Sequence, residues 1–210
     1  GLDHTRSVHP LTLLGVSNLV SDLLGDKLTI QNPFLFSTKA EMCQQLAEDK
    51  RDDLSALTVS CDSPHRKQPI QCGYCSSCIL RKQSLAASGI LDQTSYIVPH
   101  SDPPAGDPMI FLQNMLVQIS VLKELLNHSE NPVSQWKSLT RRFPELDDIV
   151  DRIHEIEGLE SLDMRQNLIR LYQTYVTEWD TVGPQITRDF LSQEKVQQVS
   201  QDFQIAIQEG

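Results

Sequence analysis

The sequence predicts a largely helical chain, in which a mixed α/β part comprising residues 1–100 is followed by a mostly α-helical extension comprising residues 109–210. Apolar residues recur at helical spacing through most of the 210 residues. Only two short stretches, residues 27–30 and 57–60, have the β-branched composition of strands. Charge also divides the chain, because residues 1–100 carry 9 Lys+Arg and 10 Asp+Glu whereas residues 101–210 carry 9 and 18.

Local signals place three helices in the first part. An apolar stripe predicts an amphipathic helix over residues 8–24. The stripe consists of Leu13, Val16, Val20, Leu23 and Leu24. A capping box, Thr38-Lys-Ala-Glu41, opens a second helix that extends to about residue 48. A third helix is predicted from residue 76 to about residue 88, where Gly89 ends it.

The second part is predicted to be entirely helical after a linker at residues 101–108, which has the Pro- and Gly-rich composition of a loop. Its helices are predicted from apolar spacing and from terminal residues. The first begins at about residue 108, the second covers about 132–142 and the third covers about 145–157. Apolar residues at 168–179 mark the fourth helix, and those at 196–207 mark the last.

Composition limits the partners and the location that we expect. A net charge of −10 repels nucleic acid at long range, so nucleic acid is not an expected partner. No uninterrupted apolar run approaches the roughly 20 residues that span a bilayer, and the first residues lack the pattern of a signal peptide. We therefore expect a cytoplasmic protein without membrane contact. The sequence does not begin with Met, and we expect the natural chain to continue upstream.

Four of the five cysteines, Cys61, Cys72, Cys75 and Cys78, fall within eighteen residues. Two-residue gaps allow neighbouring sulfur atoms to turn onto one metal ion, and Cys61 can close the site across the intervening loop. This spacing predicts a structural Zn²⁺ held by four thiolates. Disulfides fit the odd cysteine count and the short gaps poorly, and an iron–sulfur cluster would need a C-x3-C-P continuation that is missing. His65 is an alternative ligand in the loop.

Five short motifs follow one another between residues 38 and 96. They are Thr-Lys-x-Glu at 38–41, Ser-Cys at 60–61, Cys-Gly-x-Cys-x-x-Cys at 72–78, Arg81, and Gly-Ile-x-Asp-x-Thr-x-Tyr at 89–96. In this order they resemble the C-terminal half of the 7-cyano-7-deazaguanine synthase family, over about residues 5–98. The resemblance implies a zinc-containing α/β fold of the PP-loop ATP pyrophosphatase type, a bacterial cytoplasmic location and a place in queuosine biosynthesis.

The resemblance also implies a reaction. Members of the family use ATP and Mg²⁺ to adenylate a small-molecule substrate, the carboxylate of a 7-carboxy-7-deazaguanine. Ammonia then attacks to give an amide, and a second activation gives the nitrile. Such a ligase has to hold two anions together and to stabilise developing negative charge with Lys, Arg and Mg²⁺.

On this resemblance, Lys39 and Arg81 are candidate catalytic residues and Arg6 is a candidate cofactor-binding residue. Lys39 lies in the first turn of a predicted helix, where anions are favoured over cations, so we expect it to face a phosphate or a carboxylate. Arg81 can hold a substrate carboxylate through its planar guanidinium. The structural alternatives are a solvated Lys39 and an Arg81 that is paired with an acidic neighbour.

The chain departs from the family in two ways. It contains no Gly-Gly pair, and so lacks the family's Ser-Gly-Gly-x-Asp-Ser phosphate loop, whose glycines let backbone N–H groups reach phosphates. We therefore expect a phosphate-loop half upstream or on a partner, and no activity from this chain alone. The acidic helical extension is the second departure. It indicates a protein partner, and the alternative function is a partner-binding component of a bacterial anti-phage defence system with altered or no synthase activity.

Overall fold

The computed structural model describes residues 8–62, 70–97, 109–154 and 156–208, with the backbone alone from residue 191 onward. These residues form α-helices joined by short connections. The helices are α1 Pro10–Leu24, α2 Lys39–Glu48, α3 Ser76–Ala87, α4 Met109–Asn127, α5 Pro132–Arg142, α6 Glu145–Ile153 and α7 Ser161–Gln208. A 3₁₀ helix, Asp52–Leu57, lies between α2 and α3. The prediction of a largely helical chain is confirmed.

Helix ends follow the signals that predict them. Helix α1 begins with Pro10, whose fixed φ suits the first turn. It ends at Gly25, which adopts the left-handed φ of 71° and donates its N–H to the Ser21 carbonyl. Helix α5 is capped by Asn131, whose side chain accepts a hydrogen bond of 2.9 Å from the Val133 N–H.

The two predicted strands are wrong, because the described residues contain no named strand. The backbone donors of these stretches pair with side chains instead of with a neighbouring strand. Leu28 N–H donates to Ser21 Oγ at 2.8 Å, and Ile30 N–H donates to Ser17 Oγ at 2.9 Å. In the second stretch, Leu57 ends the 3₁₀ helix and the residues that follow are held by one glutamine side chain.

The two helices predicted near residues 168–179 and 196–207 are one continuous helix, α7, which passes through Pro184. A Gly-Pro pair commonly ends a helix. Here Trp179, Ile186 and Phe190 lie at helical spacing on both sides of the pair and are all buried, so packing outweighs the local signal. Gly183 fits because a Cβ at that position would stand 3.2 Å from Trp179 Cε3.

The described parts of the chain form two compact units. Unit 1 combines the residues up to Thr38 with Ser120–Val176, and unit 2 combines Lys39–Ile119 with the residues from Thr177 onward. The predicted linker at residues 101–108 lies outside the described residues, so the domain division near residue 100 stays a prediction.

The core of unit 1 is built by α4, α5, α6 and the first half of α7. Its most deeply buried side chains, Leu139, Val150 and Met164, are fully excluded from solvent. Trp136 lies in the same core and donates its indole N–H to Asp147 Oδ1 at 2.9 Å, which satisfies a buried donor.

In unit 2, α2 packs against α3. The inward face of α3 carries Ile79 and Leu85, which are buried, and Cys78, which is fully buried. The cysteine cluster therefore adjoins the apolar core of this unit.

One helix among the described residues, α4, is long and apolar enough by length and composition to cross a bilayer, contrary to the expectation from the sequence. Leu112, Ile119, Leu122 and Leu126 on this helix are buried within the protein, but only 22% of its apolar stretch is buried. A buried core helix meets the same criteria of length and composition.

Leu139→Ala is expected to lower the free energy of unfolding by about 2–5 kcal/mol, because it leaves a cavity at a fully buried position. Guanidinium unfolding followed by circular dichroism measures the change. Val133→Ala on the same helix removes a side chain that is 69% exposed, and it should change stability by no more than about 0.5 kcal/mol. Equal effects of the two substitutions would contradict this assignment of the core.

Candidate metal centre

Four thiol groups converge at one point of unit 2. The Sγ atoms of Cys61, Cys72, Cys75 and Cys78 all lie within 4.8 Å of one another, and all four residues are buried. Cys72 Sγ lies 3.9 Å from Cys78 Sγ, and Cys75 Sγ lies 4.0 Å from Cys61 Sγ. A tetrahedral ion with metal–sulfur bonds of about 2.3 Å sets its sulfur atoms about 3.8 Å apart. The four cysteines can therefore hold a metal ion.

Two features of the backbone, the start of α3 and a turn at Gly73, bring these residues together. Cys75 is the N-cap of α3 and Cys78 lies in its first turn, so the start of this helix sets their spacing. Gly73 adopts a φ of 88°, which only glycine reaches without strain, and so turns the chain between Cys72 and Cys75.

Backbone amides also point at the sulfur atoms. The Cys72 N–H donates to Cys61 Sγ at 3.4 Å, and the Cys75 N–H donates to Cys72 Sγ at 3.3 Å. Such hydrogen bonds stabilise thiolates and orient them toward a metal. Both amides would therefore stabilise the sulfur atoms of Cys61 and Cys72 as thiolates if a metal ion were bound.

Cys61 is delivered by the stretch that was predicted as a strand. The Gln71 side chain accepts a hydrogen bond from the Ser60 N–H at 3.0 Å and donates one to the Thr58 carbonyl at 3.3 Å. Gln71 thereby joins the chain on either side of the loop that separates Cys61 from Cys72. It is also buried, so these hydrogen bonds satisfy an amide that is removed from water.

Hydrogen bonds among the thiols shift their pKa values in opposite directions. The hydrogen bond with Cys75 raises the pKa of Cys72 to about 11. Hydrogen bonding with Cys72 and Cys75 raises the pKa of Cys78. The hydrogen bonds that Cys75 receives from Cys72 and Cys78 lower its pKa. Without a metal, one sulfur atom therefore carries the charge and its neighbours keep their protons, because adjacent thiolates repel.

Polar side chains surround the cluster. Ser76 Oγ donates to an Asp62 carboxylate oxygen at 3.1 Å, and Ser77 donates to the other oxygen, which fastens the chain after Cys61 to the start of α3. Lys82 Nζ donates to the Gly73 carbonyl at 2.8 Å.

Lys82 also lies between two aromatic rings. Its Nζ is 4.4 Å from the ring centroid of Tyr96 and 4.9 Å from that of Phe190 on α7. Burial lowers the pKa of Lys82. Gln71 is not among the predicted site residues, and its position next to Cys72 is the signal that could have found it.

Arg81 is buried, with 8% of its surface exposed, and its guanidinium is occupied by protein groups. Nε donates to Thr94 Oγ1 at 3.0 Å and lies 3.9 Å from an Asp92 carboxylate oxygen. Nη1 donates to Thr58 Oγ1 at 2.7 Å, and Nη2 donates to the Ser55 carbonyl. The guanidinium thus links α3 to the chain that precedes Cys61 and to the chain that leads to Tyr96.

Lys39 is the first residue of α2 and its side chain is exposed. It acts electrostatically on the thiol of Cys43, one turn further along α2, as does Arg81. Burial raises the pKa of Cys43, and the two cations oppose that shift. Arg6 and His65 lie outside the described residues, so their predicted roles stay predictions.

A cavity of about 780 Å³ lies beside the cluster, within unit 2. Lys82, Asp92 and Tyr96 line one side of it, and Asp189 and Phe190 of α7 line the other. Its volume suits a small-molecule ligand. Neither Lys39 nor Arg81 is among the residues that line it.

Arg81→Met is expected to destabilise the chain by about 3–5 kcal/mol, because it leaves Asp92 without a buried cationic partner. It should also speed the loss of a bound metal to a chromophoric chelator by at least about tenfold, since the chain that carries Cys61 loses its anchor. Chemical unfolding and stopped-flow chelation measure the two effects.

Arg51→Met is the matched control, because Arg51 is exposed and forms an ion pair of 3.7 Å with the exposed Asp53. It should leave stability and metal release unchanged. An Arg81→Met chain that keeps wild-type stability and metal retention would refute the structural role and favour the predicted catalytic one.

Comparisons with known proteins match the segment that carries this centre. Residues 13–89 match the family model described as "Queuosine biosynthesis protein QueC". The 7-cyano-7-deazaguanine synthase of Desulfatibacillum aliphaticivorans is 39% identical over 74 residues, which are 34% of this chain and 29% of that protein. The synthase of Cellvibrio japonicus (strain Ueda107) is 40% identical over 75 residues, 34% of this chain and 31% of that protein.

The chain thus spans about three tenths of the length of the curated relatives that it matches. No solved structure matches the chain significantly. The matched residues include all four cysteines of the cluster, together with Lys39 and Arg81. Residues 13–89 are therefore similar to part of the 7-cyano-7-deazaguanine synthases, as the order of the motifs predicts.

Proposed function

We propose that the chain is the zinc-containing part of an ATP-dependent, 7-cyano-7-deazaguanine synthase-like ligase, which adenylates a deazapurine carboxylate for amide and nitrile formation. One observation carries the proposal: the four-cysteine cluster lies within the segment that matches the synthase family. The matched relatives are 7-cyano-7-deazaguanine synthases, so the proposed reaction makes a deazapurine nitrile.

The donor set supports zinc. Four sulfur ligands without a carboxylate suit a soft, tetrahedral ion, whereas Mg²⁺ and Ca²⁺ take oxygen ligands. Four protein ligands leave no open position for a substrate, so the ion has a structural role. Cys61, Cys72, Cys75 and Cys78 would hold it, and it would neutralise thiolate charge that the buried site cannot otherwise carry.

The proposed chemistry is the activation of a poor leaving group. A carboxylate oxygen of the substrate attacks the α-phosphorus of ATP, and pyrophosphate leaves. Ammonia then attacks the acyl carbon, and AMP departs with the electron pair of the broken C–O bond. Two anions must meet in the first step, so cationic side chains are needed to stabilise the transition state. The exposed ammonium of Lys39, at the start of α2, is available for this role.

In this proposal the phosphate loop is supplied by another segment or chain. The sequence contains no Gly-Gly pair, and the matched relatives are about three times as long as the part they share with this chain. A backbone cradle for phosphates requires glycines of this kind.

A defence role remains the second candidate. The extension from residue 109 onward lies outside the residues matched to the family, and it carries most of the net negative charge. Because this extension lies outside the part that matches the synthases, it favours a protein partner specific to this chain. On this alternative the metal centre is retained and adenylation is altered or lost.

The purified chain is expected to contain one Zn²⁺ per molecule. Binding of this ion should release protons from the cysteine thiols. The pKa of Cys72 is raised to about 11 and that of Cys78 is raised as well, so both hold protons at neutral pH in the metal-free chain. Lowering the pH favours protonation of the thiols over binding of the metal by the same sulfur atoms. Since at least two protons are released per ion, affinity should fall at least about 100-fold for each pH unit lost.

Elemental analysis gives the zinc content, and calorimetry in two buffers of different ionisation enthalpy counts the protons. Cys43→Ser, which changes the one cysteine outside the cluster, should leave both values unchanged. A chain without metal, or binding that is independent of pH, would refute the assignment.

Supplied with a phosphate-loop segment, ATP, Mg²⁺ and 7-carboxy-7-deazaguanine, the chain is expected to form AMP and pyrophosphate. Lys39→Ala should slow this reaction about 100-fold, because it removes a cation from the transition state. Lys27→Ala removes another exposed lysine and should have no effect. Coupled pyrophosphate detection measures the rate.

Circular dichroism controls for the fold of each variant in this assay. Absence of AMP from a complex that has assembled would refute the ligase proposal and favour the defence alternative.

A further inference from the structure

The cavity of about 780 Å³ in unit 2, which we call the Lys82 cavity, has two walls of different origin. Residues between 89 and 96, in the chain that follows α3, line one wall, and residues between 181 and 190 of α7 line the other. The α7 wall lies beyond residues 13–89, the part that resembles the synthases. The chemistry of the lining groups, rather than that resemblance, therefore indicates the ligand.

Apolar side chains from both walls line the Lys82 cavity. Ile90 belongs to the first wall, and Ile186 and Phe190 belong to α7; all three are buried within unit 2. Val182, one turn before Ile186, is half-buried and adds to the α7 wall. Pockets for small molecules are mostly apolar in this way, with a few polar groups that fix the orientation of the ligand. The lining therefore favours a ligand with an apolar body.

Lys82 supplies a positive charge to the lining. Its Nζ lies between the rings of Tyr96 and Phe190, and it donates to the Gly73 carbonyl at 2.8 Å. Among the described residues, this is its one hydrogen bond, and Lys82 forms no ion pair with them. An ammonium group carries three N–H donors, so donors remain for a ligand. Removing a cation from water without an anionic partner costs free energy, which a bound anion would offset.

The two carboxylates that line the cavity do not pair with Lys82. Asp92 accepts the hydroxyl of Tyr96 at 2.6 Å and lies 3.9 Å from Arg81 Nε. Asp189 is exposed on the α7 wall. Both act on Lys82 electrostatically, without a contact short enough for an ion pair. Because these carboxylates repel anions, they favour a ligand with one negative charge over a ligand with two.

We propose that the Lys82 cavity binds a small apolar monocarboxylate. Its carboxylate accepts a charge-assisted hydrogen bond from Lys82, and its hydrocarbon body packs on Ile90, Ile186 and Phe190. The inference goes beyond the proposed function and does not depend on it, because such a ligand needs no deazapurine ring, no ATP and no phosphate loop. The site is one that α7 completes, so it belongs to the extension as much as to the part that resembles the synthases.

The test compares three ligands of the same chain length with the full chain, purified with zinc. Hexanoate is the probe, hexanol lacks the charge, and hexylamine carries the opposite charge. NMR shifts of the backbone amides at residues 90–96 and 182–190 follow each titration. A ligand of the size of hexanoate is expected to bind with a Kd of about 1 mM. Hexanoate should bind at least about tenfold more tightly than hexanol or hexylamine, since only hexanoate pairs with the ammonium.

Two variants test the charges separately. Lys82→Met keeps the length of the side chain and should lower the affinity for hexanoate to that for hexanol. Asp189→Asn removes a repelling charge at an exposed position, so it should tighten hexanoate binding about twofold to fivefold and leave hexanol unchanged. This second variant decides the question even where Lys82→Met fails to fold.

Asp163→Asn is the matched control for Asp189→Asn. It makes the same change at an exposed residue near the start of α7 that does not line the cavity, and it should leave both affinities unchanged. Circular dichroism checks the fold of each variant.

Four results would overturn the proposal. The first is no binding of hexanoate to the wild-type chain. The second is equal affinity for hexanoate and hexanol, since Lys82 would then only balance the charge of the neighbouring thiolates. The third is tighter binding of hexylamine, which would make the carboxylates the specificity-determining groups. The fourth is a set of shift changes that spares both walls, because hexanoate would then bind elsewhere. Every measurement is made without ATP, so failure of the ligase proposal would leave this result unaffected.

Discussion

Four sulfur atoms that converge on one point place like charges together as soon as their thiols lose protons. In unit 2 these atoms belong to residues as far apart in sequence as Cys61 and Cys78, and they lie within 4.8 Å of one another in a buried site. The opposed pKa shifts of Cys72 and Cys75 are the signature of that crowding. A divalent cation bound by all four sulfur atoms would remove the repulsion, and metal binding would then be part of folding for this unit.

Helix α3 connects the cluster to everything around it. Its first turn carries Cys78, and two adjacent cations follow. Arg81 binds the chain that leads to Cys61, and Lys82 binds the Gly73 carbonyl between two other cysteines. Arg81 and Lys82 are both held by buried or half-buried groups, so they fix the surrounding chain more than they add to the surface charge. The contacts of Arg81 therefore assign it a structural role in this unit.

The sequence predicted helix positions well, because apolar spacing and terminal residues such as Pro10, Asn131 and Gly25 act locally. It also predicted which four cysteines converge, since two-residue gaps leave few other geometries. The predicted strands were wrong, because side chains distant in sequence determine the local backbone structure there. The Gln71 and Ser17 side chains replace the strand partners that the β-branched stretches seemed to need.

The exposure of most of the predicted apolar stripe of α1 has a related explanation. Spacing alone identifies a face of a helix, but it does not say whether that face is covered by the same unit. Val16, Leu23 and Leu24 of the stripe are exposed, and the core of unit 1 takes Leu11 and Leu14 instead. Among the candidate site residues, motif order identified Lys39 and Arg81, whereas the contacts of Lys82 depend on Phe190, more than 100 residues away, which no local signal relates to it.

The place of Lys82 between Tyr96 and Phe190 has a consequence for how the chain matures. One ammonium group touches the cysteine loop through Gly73 and the long C-terminal helix through Phe190. An ion bound by the four cysteines would hold the turn at Gly73, so metallation would favour the contact that Lys82 makes with this turn and, through Lys82, the packing of Phe190. Scarcity of the ion would then weaken both contacts together.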